Sequence, residues 1–206
     1  HIHNGINLDG FEPSALPDDP PVLGYFARMC PEKGLDTLVD AFIRLKQTGQ
    51  VPGLKLAVGG GCQPFDKAFV AEQKQRLRTA GLLGEASFRP NLDRDAKLAF
   101  YQGLTVLSVP AAYGEAFGLY VVEAMASGVP VVAPDDASFP EMVEQNQAGV
   151  ICEKGSAAAL ADAIGQLLLD RERLAKCAAA GRQAAVQTYN IERMAESFVA
   201  RLAKLR

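Results

Sequence analysis

The sequence predicts an α/β fold, a doubly wound parallel sheet that ends in C-terminal helices. Three observations predict it. Short, continuously apolar, β-rich runs alternate with longer amphipathic ones, as in a parallel sheet covered on both faces. Apolar residues make up 49% of the 206 positions, enough for a full core in one substantial domain. Proline and glycine punctuate the loops at 13–21 and 50–53, and neither loop is long enough to link two domains.

The strands are expected at 22–27, 54–59, 86–89, 104–109, 129–133 and 149–152. Between the first two, Leu35, Leu38, Val39, Phe42 and Leu45 recur at helical spacing and predict a helix over 35–47. Phe69, Gln73 and Leu77 mark a second helix that ends near Gly81, and a short third covers 94–101. A fourth runs over 119–127, stopped by Gly128 and Pro130. Ser156 is placed to cap a helix carrying Leu160, Ile164, Leu167 and Leu168. Two further helical stretches follow at 171–188 and 191–204, with Asn190 as the cap between them. The domain is therefore read as an α/β core over 21–155 and a helical tail over 156–206.

A formal charge of −3 argues against a nucleic-acid surface, which needs a basic stripe. The basic cluster at Lys74, Arg76 and Arg78 reads as a solvated helix face. Cys30, Cys62, Cys152 and Cys177 are widely and irregularly spaced, without a metal-binding or disulfide pattern, which fits a reducing, cytoplasmic setting. His1 and His3 lack a companion ligand and read as a chain edge. No apolar run reaches the roughly 18 residues of a spanning helix, and no signal-peptide layout is present. The start at His1, inside a strand-to-turn passage, suggests a piece of a longer protein.

In such sheets ligands bind beyond the carboxyl ends of the strands. After the first strand come Arg28 and Lys33, two cations around a helix start, a setting suited to a diphosphate. The alternative is ordinary solvated charge, with Glu32 pairing one of them. After the second strand, Gly59, Gly60 and Gly61 permit close approach of a ligand or simply a sharp turn. Ser87 to Asn91 leave the third strand beside the expected cleft, where Phe88 or Leu92 could edge a base, although Phe88 fits a core position better than a base platform. After the fourth strand, Glu115 lies in a loop, Phe117, Gly118 and Leu119 open a helix with free amides, and Glu123 sits a turn further on. Apolar neighbours surround Glu123, so its carboxylate needs a partner. Ribose hydroxyls supply one; a salt bridge to a neighbouring helix supplies another.

The passage GEAFGLYVVEAMASGVPVV resembles the E-x7-E element, with its GLxxxEAMAxGxPV continuation, of retaining glycosyltransferases of family 4 (glycosyl transferases group 1). NGINLDGF, GYFARMCPEKGLDTLVDAF and LAVGGG resemble further motifs of that family, in order, and the match spans almost the whole chain. The resemblance implies a Rossmann-like, donor-binding C-terminal half of a GT-B fold, with residues 1–20 derived from the interdomain linker. It implies that Arg28 and Lys33 neutralise the donor diphosphate and that Glu115 orients the sugar. Glu123 would hold the ribose, and the amides from Phe117 through Gly118 to Leu119 would meet the distal phosphate or sugar. Residues near Arg89 to Leu92 would line the base, and Gly60 would belong to the donor-binding set. No metal or other cofactor is expected, because the cationic pair takes the place of Mg²⁺. The implied partners are a nucleotide-sugar and an N-terminal acceptor domain absent from this chain, with room for peripheral membrane association of the full-length protein. The chain alone would then bind donor and transfer poorly. The sequence departs from the family at 135–141, where a bulkier loop replaces a Gly-Gly turn.

Other functions remain open on the residues alone. A nucleotide-sugar epimerase would need acid/base groups, and the histidines are confined to His1 and His3. A phosphorylase would need a recognisable cofactor lysine, and a non-catalytic nucleotide-binding module would need neither.

Overall fold

The computed structural model describes residues 2–13 and 20–203. His1, part of the loop at 13–21 and the last three positions of the tail lie outside them. The strands are β1 (Val22–Phe26), β2 (Lys55–Gly60), β3 (Ala86–Pro90), β4 (Val106–Ser108), β5 (Val131–Pro134) and β6 (Gly149–Cys152). They pair in parallel in the order β3-β2-β1-β4-β5-β6, a doubly wound sheet whose order reverses between β1 and β4. The expected strands are all present.

Two strands, β4 and β5, start two residues later than the sequence suggests, and hydrogen bonding gives the reason. The Leu104 amide donates to the Tyr101 carbonyl at 3.1 Å, closing the preceding helix. The Val129 amide likewise donates to the Ala124 carbonyl at 2.9 Å. Each amide spent on a helix end is lost to the ladder.

The helices are α1 (Leu35–Thr48), α2 (Lys67–Thr79), α3 (Arg94–Gln102), α4 (Leu119–Ala126), α5 (Ala157–Leu169), α6 (Arg171–Gln187) and α7 (Ile191–Ala203). Ser156, Asp93, Asp170 and Asn190 each accept a hydrogen bond from an amide three residues on, fixing four of the helix starts. A π-helical turn at Pro140–Glu144, unforeseen in the sequence, follows β5.

One face of the sheet buries Leu38, Phe42, Leu56, Leu160 and Ile164 between the strands and α1, α2 and α5. The other buries Phe100, Tyr101, Val122, Met125 and Tyr189 under α3, α4 and α6. Each fully buried side chain of this size contributes about 1.5–3 kcal/mol. The helices after β6 complete these layers: α5 packs on α1 and α6 on α4. The start of the chain is pinned as well. Ile6 bridges to the α6–α7 junction, and Arg182 donates to the Phe11 and Ala126 carbonyls.

Gly34 joins the turn after β1 to α1 with φ 71°, in the left-handed region. A Cβ at this position would sit 1.9 Å from the Pro110 carbonyl oxygen. Only glycine lets the turn after β1 lie directly against the loop after β4. Gly34→Ala is expected to cost more than about 1–2 kcal/mol, since the left-handed penalty alone reaches that range. Denaturant unfolding checks this; unchanged stability would show that the two loops are free to separate.

Candidate functional site

Because every strand is parallel, the loops after β1, β2, β3 and β4 emerge on one edge of the sheet. The turn after β1 is held on three sides. The Tyr25 hydroxyl donates to the Arg28 carbonyl at 2.7 Å, the Met29 amide to the Gly61 carbonyl at 2.7 Å, and the Ala112 amide to the Glu32 carbonyl at 3.0 Å. Burial and neighbouring acidic groups push the Tyr25 phenol well above its ordinary value, so it remains a hydrogen donor.

Lys33 and Glu115 meet at the switch point between β1 and β4. The Lys33 ammonium lies 2.5 Å from Glu115 Oε2, and the Tyr120 hydroxyl donates to the same oxygen at 2.9 Å. Tyr113 and Tyr120 place their rings 5.5 and 5.9 Å from the ammonium. Burial alone would raise the Glu115 carboxyl, but the bonds from Lys33 and Tyr120 outweigh it and hold it below the usual carboxylate value. Ser138, from the loop that departs from the family pattern, donates to the Glu115 carbonyl at 2.8 Å. That loop braces the site.

Gly118 opens α4 with φ 80° and no side chain caps the helix. Phe117 turns inward, with its ring 6.1 Å from that of Tyr189, whereas Leu119 is exposed. Glu123 has found the helix partner that the sequence left open: Lys97 of α3 donates to Oε1 at 2.6 Å and Tyr101 to Oε2 at 2.9 Å. Each oxygen keeps a further lone pair.

A cleft of about 400 Å³ lies beside these groups, lined by Phe26, Gly60, Gly61, Asn91, Leu92 and Lys97 among others. Gly60 has φ 111° and a Cβ there would sit 2.0 Å from the Ala27 carbonyl oxygen, so close packing of the β1 and β2 ends demands glycine whatever the cleft holds. Asn91, at φ 55°, ties the two walls together by accepting from the Cys62 amide at 2.9 Å and donating to its carbonyl at 3.1 Å.

The structure does not bring every predicted residue to this place. Arg89 is exposed and lines a separate groove with Ala57 and Phe100. Phe88 packs against the opposite core, its ring 4.9 Å from the Lys74 ammonium. Arg28 pairs with Asp66 rather than Glu32. Sequence reasoning missed Asp66, Lys97, Tyr101 and Tyr120. Lys97 and Tyr101 stand four residues apart, a polar stripe visible in the letters, but nothing there points to Glu123. Asp93 and Asp95 form a D-x-D pattern, yet Asp93 Oδ1 is used to cap α3, accepting from the Ala96 amide at 2.9 Å. Among the described residues, no group of three metal-ligating side chains occurs.

A six-stranded parallel sheet flanked by helices is a Rossmann-like fold, and it matches one half of GT-B glycosyltransferases. The chain belongs to the family described as glycosyl transferases group 1, which it matches over residues 9–184. Sucrose-phosphate synthase of Thermosynechococcus elongatus superposes with a TM-score of 0.86 at 30% identity, over 99% of this chain and 52% of that one. HepE of Anabaena, solved with UDP and glucose, shares the fold with a TM-score of 0.85 at 24% identity, over 98% of this chain and 56% of its own. The lipopolysaccharide core biosynthesis mannosyltransferase LpsB of Rhizobium meliloti is 32% identical over 217 residues, 97% of this chain and 59% of its own length. The chain spans about half the length of the curated relatives it matches. Among the described residues, no helix is long and apolar enough to cross a membrane.

A carboxyl held below its unfolded value contributes stability that is present at neutral pH and lost as pH falls through its folded value. Wild-type protein is therefore expected to lose thermal stability more steeply than Glu115→Gln below about pH 4.3, the ordinary carboxylate value. Melting curves from pH 6 to pH 3 check this, and parallel curves for the two proteins would contradict the Lys33–Glu115 pairing.

Proposed function

We propose that this domain binds the nucleotide-sugar donor of a retaining glycosyltransferase. The observation that carries the reading is the meeting of Lys33 and Glu115 beside the uncapped start of α4, at the switch point of the sheet. Breaking the anomeric C–O bond places negative charge on a diphosphate leaving group. Fixed cations and helix amides aimed at that charge lower the barrier, and Lys33, Arg28 and the amides opening α4 are the groups available. With these cations in place, the proposal requires no metal ion.

Glu115 is the carboxylate near the presumed sugar. A covalent role would ask it to attack the anomeric carbon, as in retaining glycosidases. Lys33 and Tyr120 both donate to its Oε2 and lower its basicity, which favours an orienting role in which Oε1 accepts from a sugar hydroxyl. The acceptor then attacks from the leaving-group face. Glu123, oriented by Lys97 and Tyr101, is suited to accept both ribose hydroxyls, and the cleft along Gly60, Gly61 and Leu92 to hold the base. The acceptor would come from an N-terminal domain of the whole protein. The UDP of HepE and the mannosyl transfer named for LpsB are consistent with this class of donor.

Calorimetric titration with UDP-glucose, GDP-mannose and ADP-glucose tests the reading. At least one is expected to bind, with affinity reduced about tenfold or more in Lys33→Ala, the loss expected of one charge-assisted contact. Glu123→Ala is expected to weaken the same donor. Failure of all three to bind at millimolar concentration would overturn the assignment.

A further inference from the structure

Asp66 is the most buried carboxylate among the described residues, with its side chain 3% exposed, and the family motifs assign it nothing. It closes a short turn, Pro64–Asp66, that leads into α2. Its Oδ2 accepts from the Gln63 amide at 2.8 Å, which fixes the carboxylate plane. Into that plane comes Arg28, 38 residues earlier, with Nε 3.1 Å from Oδ2 and Nη2 2.8 Å from Oδ1. Phe65, itself 70% exposed, lays its ring 4.7 Å from the centre of the guanidinium.

A partly exposed ion pair of this kind adds little to stability. Its consequence is geometric. The edge of the guanidinium that carries Nε is committed to Asp66, and the ring beneath restricts rotation. The backbone of Arg28 is fixed too, by Tyr25 on its carbonyl and by the adjoining Met29–Gly61 bond. What remains is Nη1 and the outer hydrogen of Nη2, the two-pronged end that matches a pair of phosphate oxygens.

We propose that Asp66 is a positioning residue, which holds Arg28 with its free end preset for the diphosphate of the donor. The proposal rests on the donor reading above and goes one residue beyond it. Asp66 touches no substrate; it acts through Arg28. The electrostatics agree with this: the bond from Arg28 first of all, with that from the Gln63 amide, holds the carboxyl below its ordinary value against the burial that would raise it. A pure charge argument makes the opposite forecast: removing a negative group near a diphosphate should tighten binding.

The test measures how much affinity the second phosphate adds, using UMP against UDP, GMP against GDP and AMP against ADP. Asp66→Asn suits it, because the amide oxygen can still accept from the Gln63 amide while its NH₂ opposes Nη2. An unchanged melting temperature confirms that the turn is intact. In wild-type protein the diphosphate of the preferred base is expected to bind at least tenfold tighter than its monophosphate. Asp66→Asn should lose about fivefold or more of that gain and leave the monophosphate affinity in place. Arg28→Ala should lose it too, and Asp66→Asn should add nothing in that background. A retained or increased gain in Asp66→Asn overturns the proposal, as does a further loss on top of Arg28→Ala. If wild-type protein binds none of the six nucleotides, the donor reading itself fails.

Discussion

The close approach of two loops, one after β1 and one after β4, is the constraint on which the rest of the site depends. Gly34 lies where any Cβ would strike the Pro110 carbonyl, and the Ala112 amide donates to the Glu32 carbonyl. These backbone contacts bring Lys33 to Glu115 across 82 residues of sequence. Strand order makes the contact available, because β1 and β4 are neighbours only where the winding of the sheet reverses. The helix that begins just beyond, α4, then presents its open start to the same place.

Three cation–carboxylate pairs stand in this region before any ligand arrives. Lys33 holds Glu115, Lys97 holds Glu123 and Arg28 holds Asp66. Such pairs set side-chain direction more than they add stability, because the cations remain partly open to water. Under the proposed function, a diphosphate would meet cations whose rotamers are already restricted, which would lower the ordering cost of binding. Ser138, bonded to the Glu115 carbonyl, extends the same bracing into the loop at 135–141, where the sequence departs from the family pattern.

The alternation of apolar runs made the strands legible, because strands covered on both faces read as near-continuous apolar runs; β3, at the sheet edge with Ser87 and Arg89, is the exception. Ser156 and Asn190 were legible as caps for a local reason, since each acts on an amide three residues away. The candidate residues Lys33, Glu115, Gly118 and Glu123 were legible from their places after strands and at helix starts. Their partners were not. Asp66 reads locally as the closing residue of a turn, and nothing in its neighbourhood points 38 residues back to Arg28. Lys97 reads as an ordinary helix cation until α3 is set beside α4. Arg89 shows the reverse error, near the cleft in sequence yet lining a different groove, because position along a strand does not reveal which way a side chain leaves it.

Under the proposed function, the loops after β1 and β4 together make one anion-binding place. A crystal structure of the chain with a bound nucleoside diphosphate tests it most directly. Phosphate oxygens are expected within hydrogen-bond distance of Lys33 Nζ, the Arg28 guanidinium and the amides opening α4, with the base in the cleft beside Gly61 and Leu92. A nucleotide seated elsewhere, with the Lys33–Glu115 pair untouched and the start of α4 facing only water, would contradict it.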